Sequence, residues 1–292
     1  MNTADVLAFI EVARTESFSQ AAERLFLTQP AISKRVSNLE ESLGVQLFDR
    51  VGRRVQLTEA GRALLPRARQ WLLEFEDIKR SIADLGGPVT GILRIGTSHH
   101  IGLHRLPPTL RQFSQQFPDV RLDIQFIDSE EAYEAVLGGE LELGIVTLPP
   151  VPDTRLLAEE IWDDPLAFVA GKDHPLALKP DLTLQDLTKH PAILPSLNTF
   201  TRQIAAKLFQ ESHLELNVTM ATNYLETIRM MVSIGLGWSV LPASMASEDM
   251  VVLPLTGVEM HRSLGVVYHP RRTLSRAAGA MLDLLRLQRP TA

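Results

Sequence analysis

Two groups of polar residues stand at spacings that could do chemistry. The first is Gln29, Ser33, Lys34 and Ser37, which share one face of any helix running through them. They combine short donors and acceptors, suited to base edges in a major groove, with a cation for phosphate. Thr28 stands just ahead of them, where the first free amides of a helix can meet a phosphate. Arg50, Arg53 and Arg54 follow, placed to reach phosphates or a narrow minor groove. The second group is Thr97-Ser98-His99-His100 together with Ser196-Leu197-Asn198-Thr199-Phe200. Thr147 closes an apolar run nearby, and Asn223 is a weaker member between a strand pattern and a helix pattern. Each segment opens a helix after a strand. Such a junction aims N–H groups and a positive dipole end at one spot, which suits a carboxylate or small oxyanion. Ser and Thr also cap helices in plain structural roles, so the two segments jointly carry the expectation of an effector cleft.

Other chemistries lack their residues. Cysteine is absent, which removes disulfides, thiolate metal sites and cysteine nucleophiles. No Gly-x-Ser-x-Gly elbow, phosphate loop or paired-carboxylate motif is present, so no catalytic residue and no resident cofactor is expected. His100 and His104 could share a helical face, but no third ligand stands beside them in sequence, and no metal site is expected.

Charge separates the two groups. The chain has 292 residues and a formal net charge of −6, a length that suggests about two domains. Residues 24–58 hold six basic and three acidic groups, a balance of +3, whereas 91–292 hold 17 and 23, a balance of −6. A basic head on an acidic body suits a polyanion partner. Residues 1–5 show no basic stretch leading into an apolar core, and no apolar run approaches the roughly 18 residues of a membrane span. The expectation is a cytoplasmic protein without a membrane partner.

The elements that must position the first group are legible. Val6, Phe9, Ile10 and Ala13 follow helical spacing. Ser19, with Phe18 before it, can cap a short helix from Gln20 to about Leu25. Thr28 can cap the next, with Pro30 in its first turn, and Gly44 can end it. Ile32, Val36, Leu39 and Leu43 give that helix one buried stripe. The two helices flank the turn Phe26-Leu27-Thr28, a helix-turn-helix arrangement. Two alternating runs around Gly52 then read as a hairpin wing. From Thr58 one helix runs to about Leu85. Leu64, Ala68, Trp71, Phe75, Ile78, Ile82 and Leu85 alternate steps of four and three, the seam of a coiled coil between chains. Pro66 should bend its first turns.

Phe18-Ser19-Gln20-Ala21-Ala22, Thr28-Gln29-Pro30-Ala31-Ile32-Ser33, Leu39-Glu40, Leu43-Gly44, Leu47-Phe48-Asp49-Arg50 and Leu57-Thr58-Glu59-Ala60-Gly61 closely resemble the winged helix-turn-helix of the LysR-type transcriptional regulators. The resemblance covers about sixty contiguous residues. It implies a recognition helix at about Thr28–Gly44, facing double-stranded DNA with Gln29, Pro30, Ser33 and Lys34.

After Gly86-Gly87-Pro88, strands and helices alternate. Strands are expected at 92–97, 120–127, 143–147, 166–170, 192–194, 215–221 and 264–268. Helices are expected up to about 117 and over 129–137, 200–212, 224–234 and 275–287. Gly235-Leu236-Gly237-Trp238 reads as a turn. The βαβαβ order argues for parallel sheet with ligand chemistry at the strand ends. The resemblance adds a two-lobe α/β effector domain similar to periplasmic solute-binding proteins, with crossovers near 161–166 and 264–268. It also implies that Ser98, His100, Thr147, Ser196, Asn198 and Thr199 hold the effector.

The expected fold class is therefore α+β multidomain. A winged helix-turn-helix spans 1–58 and a dimerising linker helix 59–87. The effector domain spans 88–292, with lobe I about 91–162 plus 266–292 and lobe II about 163–265. The expected function is sequence-specific transcription regulation. A small anionic effector would shift the lobes, and the coiled coil would carry that shift to paired DNA heads. A homodimer fits a two-fold site; the resemblance suggests a tetramer, and RNA polymerase is a further candidate partner. The rivals are a cytoplasmic small-molecule-binding protein without a DNA role and an enzyme on the same two-lobe fold.

Overall fold

A computed structural model describes residues 2–51, 54–83 and 87–289, without the side chains of 50, 51, 54, 73, 74, 76, 77 and 79–83. Arg53 and Leu85 lie outside the described residues. The chain divides into two units, 1–86 and 87–292.

In the first unit, α1 spans Thr3–Thr15, α2 Phe18–Arg24 and α3 Gln29–Leu43. Strand β1 (Phe48–Val51) pairs antiparallel with β2 (Arg54–Leu57), and α4 runs Glu59–Ala83. The cap of α2 is Ser17, whose hydroxyl accepts from the Gln20 N–H; Ser19 lies inside the helix and is exposed. Phe18 is thereby freed to pack against Phe48 in the core. Thr28 caps α3, and Gly44 ends it at φ 70°, where a side chain would be strained. Ile32, Val36 and Leu39 are buried as their spacing requires, but Leu43, in the last turn of α3, is 41% exposed and lies outside that core cluster.

The wing is tied to the recognition helix. The Glu40 carboxylate accepts from the Leu47 N–H at 2.7 Å and the Phe48 N–H at 3.4 Å. Thr58 caps α4, its hydroxyl accepting from the Gly61 N–H and donating to the Gln46 carbonyl. A Cβ on Gly61 would stand 2.2 Å from the Leu47 carbonyl oxygen, so only glycine lets α4 start against the wing. The first half of the α4 seam serves its own head. Ala68 is buried there, with Leu64 and Trp71 packed against it. Further along, Ile78 is 57% exposed.

The second unit contains one nine-stranded mixed sheet. Its strands are β3 (Gly91–Thr97), β4 (Val120–Phe126), β5 (Leu143–Thr147), β6 (Leu157–Gly171), β7 (Ala192–Leu194), β8 (Val218–Ala221), β9 (Trp238–Pro242), β10 (Met250–Val252) and β11 (Met260–Tyr268). Helices α5 (His99–His104), α6 (Pro107–Gln116), α7 (Ser129–Leu137), α8 (Leu184–Thr188), α9 (Phe200–Glu211), α10 (Leu225–Ser233) and α11 (Arg276–Arg286) cover it. The order is β4-β3-β5-β11-β6-β9-β7-β8, with β10 also on β6. Strands β3, β4 and β5 are parallel, as are β7, β8 and β9. Two long strands, β6 and β11, run antiparallel to each other through both sets, and their register breaks at Leu264/Gly265. Lobe I is centred on Ile95, Ile145, Trp162, Leu264 and Met281, and lobe II on Leu166, Phe168, Phe209, Trp238 and Met260.

Several expected boundaries change. The helix expected up to 117 is two, because Pro107 and Pro108 lack the N–H groups that would continue α5. The turn at Gly235–Trp238 leads directly into β9, and a Cβ on Gly237 would meet the Pro191 carbonyl oxygen at 2.4 Å. Strand β6 begins nine residues before the expected Leu166. The segment Asp163-Asp164-Pro165 disguised it, since Asp and Pro are depleted in strands.

An ionic clamp closes lobe I. The Arg286 and Arg289 guanidiniums and the Tyr268 hydroxyl all donate to the Glu159 carboxylate, each at 2.7 Å. The Arg286 hydrogen bonds hold Glu159 down at a pKa of about 2. A depressed carboxylate stabilises above its unfolded value of 4.5 and loses that contribution as pH falls through about 2. Glu159→Gln should therefore flatten the acid side of the stability profile between those limits, read by urea melts at stepped pH. An unaltered slope would show that the clamp adds nothing.

Candidate functional site

In the first unit, α3 presents Thr28, Gln29, Pro30, Lys34 and Ser37 as exposed residues and Ser33 as half-buried. Gln29 Nε2 donates to Ser33 Oγ at 3.1 Å, which orients both side chains on the outward face. That bond leaves the Gln29 carboxamide oxygen and the Ser33 hydroxyl hydrogen to face a base edge. Arg50 and Arg54 lie on the facing strands of the wing near its tip.

In the second unit, a cavity of about 200 Å³ lies between the lobes. Of the residues expected from sequence, Ser98, His99, His100, Thr147, Thr199 and Asn223 line it. Thr97 is fully buried beneath it. Ser196 and Asn198, expected to hold the effector, are not among the cavity's lining residues: the Ser196 N–H donates to Asn223 Oδ1 and its carbonyl accepts from the Thr199 hydroxyl, while Asn198 is exposed and its carbonyl accepts from Gln203. Phe200 contributes its backbone N–H, while its ring lies along a neighbouring depression.

The first α9 amide is not vacant, contrary to the expectation of free N–H groups. The Phe200 N–H donates to Glu130 Oε1 at 2.5 Å, and Asn223 Nδ2 donates to Asp128 Oδ2 at 2.5 Å. Both acids come from lobe I, at the start of α7, so lobe I carboxylates occupy lobe II donors. Burial pushes the Glu130 carboxyl up despite the Phe200 hydrogen bond. Residues 128–131 open a helix directly after β4, the same pattern that marked Ser98 and Thr199. Acidic side chains at such a junction do not signal an anion site, so this pattern alone does not single them out.

Arg262 is a second residue that local pattern could not reveal. It is 5% exposed on β11, donating to Asp164 at 2.8 Å and to Thr201 Oγ1 at 2.9 Å. Asp164, on β6, also accepts from Arg105. His100 is buried beside this group, and burial, assisted by the Arg262 charge, lowers its pKa to about 4. Its imidazole is neutral at pH 7. The more exposed His99 packs against Phe126 and Tyr224 across the cleft mouth.

Residues 3–62 match the profile of the bacterial regulatory helix-turn-helix protein, lysR family, and residues 86–289 match that of the LysR substrate binding domain. The chain belongs to the LysR family of transcriptional regulators. Among its LysR relatives, the transcriptional activator CmpR of Synechocystis sp. is 32% identical over 282 residues, covering 95% of this chain and 92% of that one. An uncharacterized HTH-type regulator from an ibpB-leuC intergenic region of Azotobacter vinelandii is 62% identical over 108 residues, 37% of this chain and 75% of that one. Among solved structures, a full-length variant of OxyR from Pseudomonas aeruginosa superposes with a TM-score of 0.72 at 26% identity, covering 98% of both chains. Full-length CbnR in complex with its target DNA has the same fold, with a TM-score of 0.64 at 22% identity over 99% of this chain and 100% of that one.

This LysR chain is therefore a DNA-binding transcriptional regulator with an effector-binding domain. The winged head supplies the DNA-binding role that the small-molecule-binding rival lacked. The relatives are named as regulators, not enzymes. Among the described residues, no helix is long and apolar enough to cross a membrane.

Proposed function

We propose that the effector is a small carboxylate or oxyanion that takes the place of Glu130 at the start of α9. The supporting observation is the 2.5 Å hydrogen bond from the Phe200 N–H to the Glu130 carboxylate. The donor array is already engaged by an oxyanion, one that belongs to the protein. Asp128, Glu130 and Glu131 line the cleft with Arg262, the one arginine or lysine among its described lining residues, itself paired with Asp164. An entering anion must displace an internal carboxylate, because adding to three would raise like-charge repulsion. Glu130 is the one whose ionised form burial already disfavours. Displacing it would uncouple α7 of lobe I from α9 of lobe II and shift the lobe equilibrium.

The test is a thermal-shift series of small carboxylates and oxyanions on the wild type and Glu130→Gln. A binder raises the midpoint by mass action. The expected result is a larger rise with Glu130→Gln, whose neutral amide competes less well. If neutral or cationic compounds alone stabilise both proteins, the anion assignment fails.

The regulator works in the cytoplasm as a dimer, with α4 pairing its distal seam against a second copy, and dimers associate further into a tetramer. RNA polymerase is the partner through which it acts on transcription. Ile78 is the seam position to test, because Trp71 is committed to its own head. Ile78→Glu should halve the mass of the dimeric unit in light scattering, since a charge at a seam position opposes its twin. An unchanged mass would move the dimer contact elsewhere.

A further inference from the structure

Helix α5 carries His100 and His104 one turn apart on the same side, their rings 4.9 Å between centroids. Two histidines are too few for a firm metal site, and no third ligand lies near them in sequence. The fold supplies one. Helix α10 of lobe II brings Glu226 across the cleft, its Oε1 3.0 Å from His104 Nε2. One ligand atom from each of the three side chains lies within 4.8 Å of the other two.

His100 is the second observation. It is 4% exposed, and among the described residues neither ring nitrogen has a hydrogen-bond partner. A buried polar atom without a partner is costly and uncommon in a native core. An imidazole nitrogen there can offer a lone pair beside His104 and Glu226. The nearby charges do not forbid a cation: Arg262 and Arg105 are both held on the Asp164 carboxylate, and Glu226 brings its own negative charge to the site.

We propose that His100, His104 and Glu226 bind one divalent transition-metal ion of the imidazole-preferring class, zinc, nickel, cobalt or copper, and that this ion bridges the two lobes. Two imidazole nitrogens disfavour magnesium and calcium, which take oxygen ligands. Ligand atoms around tetrahedral zinc stand about 3.3 Å apart at bonds of about 2.0 Å, so the three groups must close by on the order of 1 Å. His104 and Glu226 are half-exposed and can swing in, while His100 is fixed. Three protein ligands leave a fourth position, open to water or to a ligand in the cleft. The site is separate from the α9 amides and does not depend on the effector being an anion.

The test uses the full chain, stripped with chelator and dialysed against zinc sulfate, with cobalt(II) absorption as a probe of coordination geometry. The expected result is one zinc per chain and a tetrahedral cobalt spectrum. His104→Gln and Glu226→Gln should each weaken zinc binding by more than the roughly 10–100-fold that loss of an outer-shell partner costs. Both changes are at half-exposed side chains, and unchanged metal-free melting would verify their folds. The competing pair is His174 and His190, whose rings lie 5.2 Å apart. His190→Gln should leave binding unchanged. Zinc that is lost with His190→Gln, or is held equally by His104→Gln and Glu226→Gln, would overturn the assignment, as would no binding. The carboxylate series on metal-free protein reports independently, so failure of one reading leaves the other standing.

Discussion

Asp164→Ala should lower the unfolding free energy by about 3–5 kcal/mol, the cost of leaving a buried charge without its partner. Asp164 is 1% exposed and accepts from both Arg105 and Arg262. Arg105 can turn toward water, since its side chain is 29% exposed. Arg262 cannot. At 5% exposure it would retain, among the described residues, only the Thr201 hydroxyl as hydrogen-bond acceptor. Burial already pulls its pKa below the ordinary arginine value, with Asp164 opposing that shift. Urea denaturation followed by tryptophan fluorescence measures the loss. Trp162 lies two residues away in the lobe I core and Trp238 sits in the lobe II core, so both cores report. A loss below about 1 kcal/mol would mean that the guanidinium finds water and that the crossover is not a dry layer. The double change Asp164→Leu with Arg262→Met should recover most of the loss, since apolar replacement of a whole buried pair is often neutral or better.

The second large effect falls on DNA. Gln29→Ala should weaken binding to the cognate operator by about 1–3 kcal/mol, the discrimination carried by a well-formed side chain to base contact. That is on the order of 10- to 100-fold in affinity. Binding to random sequence should hardly change, because phosphate contacts supply non-specific affinity. Ser33→Ala should show part of the same effect through the Gln29 to Ser33 bond, which it removes. Gel shifts against operator and scrambled fragments at fixed salt separate the two outcomes. A parallel fall on both fragments would place Gln29 at the backbone, and an unchanged ratio would remove it from the reading face. Folding is not expected to confuse the result, since Gln29 is exposed and the α3 stripe lies on the opposite side.

These two predictions differ in how far their residues could be read in advance. Gln29 could be read because everything that positions it is local. Thr28 caps the helix, Gly44 ends it, and Ile32, Val36 and Leu39 face inward at helical spacing. The cap of α2 is Ser17 and not Ser19, two serines within one turn that local pattern does not distinguish. Nothing local marked Asp164 or Arg262. Asp163-Asp164-Pro165 consists of residue types depleted in strands, yet it lies inside a fifteen-residue strand. A strand survives there because β11 pairs with it along its length and carries the cation that neutralises Asp164.

The cleft shows the same division. Strand-to-helix junctions at Ser98 and Thr199 were legible, because their caps are set by the next three residues. What fills the space between them was not. Glu130 reaches Phe200 across 70 residues of chain, Asp128 reaches Asn223 across 95, and Glu226 reaches His104 across 122. Apart from α8, β9 and β10, which no local pattern marked, the amino-acid sequence by itself determined the DNA-reading head, the linker helix and the succession of strands and helices. All of these follow from periodicity and capping within a few turns. Only the tertiary structure decided which side chains meet between the lobes. That depends on two strands crossing twice, and pairing at such separation leaves no periodic trace in the chain.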